Sequence, residues 1–104
     1  MKTTKLLTVA CATLFSYNAF AELSQEDIDA CKGVEENAQV VMAYRIVEKP
    51  ISEVYEKWNY NSAWMAVIDE AYSQRAMLSP EWQEKQINKF GSKYFKICLK
   101  GKSQ

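Results

Sequence analysis

Helical periodicity dominates the order of apolar and polar positions in this chain of 104 residues. Ile28, Cys31, Val34, Ala38, Val41, Met42 and Ile46 fall on one face of a first predicted helix. Its start is marked by Ser24 as a cap, Asp27 at the reciprocal position and Leu23 placed to staple onto Ile28. The helix should end near Val47, because Lys49 precedes Pro50 and is biased away from helical geometry. Ile51, Val54, Tyr55 and Trp58 then describe a short second helix. Asn59 to Ser62 breaks it and offers a new cap for a third helix, from about Ala63 to Arg75, striped by Trp64, Val67, Ile68, Ala71 and Tyr72. Ser79-Pro80-Glu81 opens a fourth, running to about Leu99. This last helix has two faces. Lys85, Lys89, Lys93, Lys96 and Lys100 fall in an arc of about 80°, roughly opposite Ile87, Phe90, Tyr94, Ile97 and Cys98. Gly91 lies at the edge of the apolar side, where a missing side chain allows a neighbour to approach closely.

The first 21 residues follow another pattern. Lys2 and Lys5 precede an apolar run from Leu6 to Ala19, and Ala19-Phe20-Ala21 has small residues at the cleavage positions, so residues 1–21 read as a secretory signal peptide. The run is too short for a permanent membrane span. Maturation would leave one domain, residues 22–104, in a periplasmic or secreted location. A rival reading makes Cys11 a lipoprotein attachment site, with Thr8 standing where leucine is usual. Otherwise Cys11 leaves with the leader and Cys31 and Cys98 remain, an even pair in an oxidising compartment and so a predicted disulfide. That bond requires the first and last helices to be antiparallel neighbours. The expected fold is therefore all-α, an up-down bundle of about four helices closed by one disulfide.

Without Lys2 and Lys5 the mature chain carries 13 acids and 11 bases, a net charge of −2. The charge is unevenly divided: residues 22–56 carry nine acids and three bases, residues 57–104 four acids and eight bases. No overall basic excess points to nucleic acid. The chain has no histidine, its cysteines are too far apart in sequence for a metal or redox motif, and it has no phosphate loop or nucleophile elbow. Neither a cofactor nor a metal is expected. Carboxylate chemistry at Glu35, Glu36, Asp69 or Glu70 would be the remaining enzymatic route, against the plainer reading that these acids solvate helix faces.

Arg45 is the odd residue of helix one, centred on its apolar stripe, and a buried guanidinium there needs a carboxylate or carbonyl partner, a structural use. Arg75 can reach solvent or the negative end of helix three. The lysine stripe is either an ordinary wet face or a contact for an anionic surface. Tyr55, Trp58, Tyr60 and Trp64 crowd the junction of helices two and three; Trp58 and Tyr60 are the candidate partner-binding residues there.

A cysteine early in helix one, an alanine and an arginine further along it, Ala71-Tyr72 in the middle, then Ile87, Phe90, Tyr94 and Cys98, form a spaced pattern. It resembles a scattered group of small exported helical proteins of bacteria and their phages, most without assigned activity. The resemblance implies the fold and little about function. The functional expectation is an exported, non-catalytic protein that binds another envelope protein, as an inhibitor, immunity or exclusion factor. The alternative is an envelope stress or surface-association factor that meets anionic lipid or lipopolysaccharide through the lysine stripe.

Overall fold

In the computed structural model the described residues are 23–103. The expected signal peptide, residues 1–21, and the reading of Cys11 lie outside them. The described residues form four helices and no strand: α1 Gln25–Ile46, α2 Ile51–Lys57, α3 Ser62–Ser73 and α4 Pro80–Lys102.

Each boundary has a local chemical cause. The Ser24 hydroxyl accepts from the Asp27 N–H at 3.0 Å, and Glu26 and Asp27 put negative charge at the positive end of α1. At its other end the chain reverses through Glu48, whose φ is 61°, and enters Pro50, which caps α2. Two successive left-handed residues, Asn59 and Tyr60, both with φ of 54°, terminate the short α2 turn. Asn61 then caps α3 by accepting from the Trp64 N–H at 3.0 Å. Ser79 does the same for α4, accepting from Trp82 at 3.3 Å, with Pro80 in the first turn. The fourth helix continues to Lys102, three residues past the predicted Leu99, with Lys100 and Lys102 set against its negative end.

Packing joins the two long helices in antiparallel fashion. Cys31 and Cys98 form a disulfide with their Cα atoms 5.5 Å apart, tying the start of α1 to the end of α4 across 67 residues of sequence. Further along the same seam Gln39 reaches Asn88, and Gly91 is buried against the Gln39 side chain. The third helix runs antiparallel to α4, meeting it where Glu70 faces Tyr94 and Gln74 faces Gln86. The result is the up-down order expected of short connections. Ala38, Val41 and Met42 from α1, Val54 from α2, Ile68 and Ala71 from α3 and Phe90 from α4 make one buried cluster. Tyr44, Trp58, Trp64, Tyr72 and Tyr94 pack around it. These rings let a small domain cover its core with few residues.

Candidate functional site

Between the C-terminal half of α3, the α3–α4 turn and α4 lies a groove of about 930 Å³. Phe90, Ile97, Met77 and Trp82 give its apolar lining, and Arg75, Lys85, Lys89, Lys93 and Lys96 stand along it. Phe90 is buried, whereas Trp82 and Ile97 remain 55% and 51% exposed. Ile97 therefore does not join the core as the apolar face of helix four suggested. The pattern identifies an apolar side, but α3 is not positioned to cover all of it.

The α3–α4 turn that closes one end of the groove is held by Gln86, a buried polar residue. Its Oε1 accepts from the Met77 N–H at 3.1 Å, and its Nε2 donates to the Arg75 carbonyl at 2.9 Å. Gln83 adds a third tie, from its Nε2 to the Met77 carbonyl at 2.9 Å. A turn fixed in this way holds Leu78 almost wholly in solvent, at 95% exposure. Fixed apolar groups of this kind lose little freedom when a partner covers them.

Glu70 is the point at which α3 touches the cationic side of α4. Lys93 Nζ and Tyr94 Oη both donate to its carboxylate. Burial pushes this carboxyl up, but the two hydrogen bonds and the Lys93 charge outweigh burial and hold it below its ordinary value. The Tyr94 phenol is pushed up by burial, by its hydrogen bond to Glu70 and by that carboxylate's charge. Among the described residues no acid lies within salt-bridge reach of Arg75, Lys85, Lys89 or Lys96. Lys85 instead lies over the Trp82 ring, 4.4 Å from its centroid.

The lysine stripe is thus not a uniform wet face. Lys93 is engaged across the groove, Lys85 stacks on an aromatic ring, Lys89 and Lys96 border the apolar lining, and Lys100 lies beyond it in the last turn. Trp58 and Tyr60 lie elsewhere, on the turn before α3. Trp58 Nε1 donates to Asn37 at 3.2 Å, and its ring stacks on Trp64 and meets Tyr44 edge-on, so the half-buried ring is engaged with the fold itself. Tyr60 is 58% exposed and stands apart from the groove.

Arg45 is half-buried and donates through Nε to the Gln74 carbonyl at the end of α3, with its guanidinium carbon 5.8 Å from the Tyr72 ring centre. Glu35 and Glu36 remain on α1, while Asp69 accepts from Tyr55 and raises that phenol's pKa, chiefly through this hydrogen bond. No group of three or more Asp, Glu or Cys residues suited to a metal ion is assembled among the described residues.

Neither Trp82 nor Leu78 was among the predicted site residues, although two signals were available: Trp82 sits off the core stripe of helix four, and Leu78 sits beside Met77 in the connection between helices three and four. Neither shows which helices part to make a concavity. In class, the described residues form a disulfide-closed, all-α bundle of four helices bearing a cationic, apolar-lined groove. No protein-family model, curated protein or solved structure matches the chain.

Proposed function

We propose that this is an exported, non-catalytic protein that acts by binding another protein of the cell envelope, as an inhibitor, immunity or exclusion factor. Its working surface is the α3–α4 groove, rather than the aromatic junction at Trp58 and Tyr60. The observation that carries this reading is an open apolar lining edged by cations that have no acidic partner among the described residues. Interfaces draw their energy from a few aromatic and aliphatic anchors within a polar rim, and Trp82, Met77 and Ile97 meet that description. The firmly held turn bearing Leu78 supplies a further anchor.

The test is a photo-crosslinking amino acid placed at Ile97, at Trp82 or at Tyr60 in protein exported with its own leader. A discrete envelope-protein adduct from the groove positions, reduced when Lys89 and Lys96 are changed to Glu, is the expected result. Adducts from Tyr60 alone would move the surface to the α2–α3 turn. No specific adduct at any of the three would overturn the binding reading.

A further inference from the structure

We propose that the groove seats an acidic amphipathic helix of the partner, laid along α4; this rests on reading the groove as the partner surface. Charge is the first argument. Arg75, Lys85, Lys89 and Lys96 border the groove without an acidic partner among the described residues, while Glu70, the acid in its lining, is already engaged by Lys93 and Tyr94. A binding segment therefore needs carboxylates on its flanks, and a basic or neutral one would leave the cations uncompensated on burial.

Shape is the second. The apolar residues Trp82, Phe90 and Ile97 span 16 residues of α4, about 22 Å of helix axis, which matches about four turns of an occupant. The occupant would present apolar residues at helical spacing to this row and join the bundle as an additional helix. A bilayer surface is too flat to reach a concave lining between two helices. A single acyl chain would remain wet on its outer side, because the groove residues Trp82 and Ile97 are open to solvent. A helix has its own polar face to present there.

The test uses oxidised mature protein and a labelled synthetic peptide of about 16 residues, with leucines at helical spacing and glutamates on both flanks. Its controls are a peptide of the same composition in scrambled order and vesicles of phosphatidylglycerol and phosphatidylethanolamine. Anisotropy should show saturable binding of the patterned peptide that weakens with added salt. Affinity should fall about tenfold or more in Lys89→Glu/Lys96→Glu and again in Ile97→Glu, and stay level in Tyr60→Ala. Circular dichroism melts establish that each variant is folded.

Equal binding of patterned and scrambled peptides, or undiminished affinity in the folded groove variants, would overturn the helical occupant. Vesicle binding without peptide binding would also overturn it, in favour of lipid. If the peptide fails while crosslinks at Ile97 persist, the acidic helix falls and the partner-binding reading stands. If the peptide binds but the envelope gives no adduct, the groove chemistry stands and the envelope-protein role falls.

Discussion

Gly91 is buried where α4 packs against α1, and a Cβ there would lie 2.6 Å from the Gln39 Cγ. A mid-helix glycine costs about 1 kcal/mol against alanine. Gly91→Ala alone is therefore expected to lower stability, because Gln39 must leave its place over Asn88. In a Gln39→Ala background the same change should stabilise by about 1 kcal/mol, a reversal of sign readable in urea unfolding of the four-protein cycle. A close approach at Gly91 was legible in the sequence, but that the neighbour is a glutamine side chain was not. Tyr60 poses the opposite case, a bulky residue in a left-handed conformation that costs on the order of 1 kcal/mol. Tyr60→Gly should raise the melting temperature, the gain being reduced by the lost contact between the Tyr60 and Tyr55 rings. Arg45 was conspicuous from its place in the apolar stripe, and its partner is a helix-end carbonyl. Gln86 gave no such signal, because its importance lies in which loop backbone folds over it.

Helix starts were the most legible elements, since Ser24, Asn61 and Ser79 each satisfy an otherwise free N–H at a helix start with a side-chain oxygen. The pairing of α1 with α4 was legible for a different reason: Cys31 and Cys98, expected to pair, stand near the start of the first predicted helix and the end of the last, and allow few other arrangements. Their bond closes a loop spanning 67 residues, worth about 4 kcal/mol on the chain-entropy account. For a domain of this size that corresponds to a melting temperature lower by roughly 20 °C after reduction. Calorimetry with and without reductant, and on Cys31→Ala/Cys98→Ala, should agree on this fall. An unchanged transition would mean that the α1–α4 seam holds without its crosslink. Incomplete contact between α3 and α4 could not be read in the same way. Periodicity shows that Ile97 and Phe90 are on a common side, but which of them a neighbouring element covers is settled by tertiary packing, which buries Phe90 and leaves Ile97 open.

At the scale of the whole molecule, Glu70 links stability to groove shape, because its bonds to Lys93 and Tyr94 connect α3 to the middle of α4. Its folded pKa is below the unfolded value, so its contribution is complete above about pH 4.3 and is lost as pH falls through the lower folded value. Tyr94 is shifted upward, so its contribution is present below about pH 10 and declines as pH rises beyond that. The urea midpoint should therefore fall on both the acid and alkaline sides. Glu70→Gln should flatten the acid limb, because an amide does not titrate, and weaken the alkaline limb by removing the charge that opposes phenolate formation. An acid limb unchanged in Glu70→Gln would assign acid sensitivity to other carboxylates. The residual exposure of Glu70, 31% for its side chain, keeps the effect modest through solvent screening. Its geometric consequence does not depend on that magnitude. Once Glu70 is protonated, Lys93 loses its counter-charge across the groove and joins the cations available to an acidic helix. The occupant's glutamates, with ordinary carboxylate values, protonate before Glu70 does, so acid should weaken peptide binding in the wild type and in Glu70→Gln alike. At neutral pH Glu70→Gln, which frees Lys93 without acid, should bind the patterned peptide more tightly than the wild type, and anisotropy showing equal affinity would mean that Lys93 does not take part.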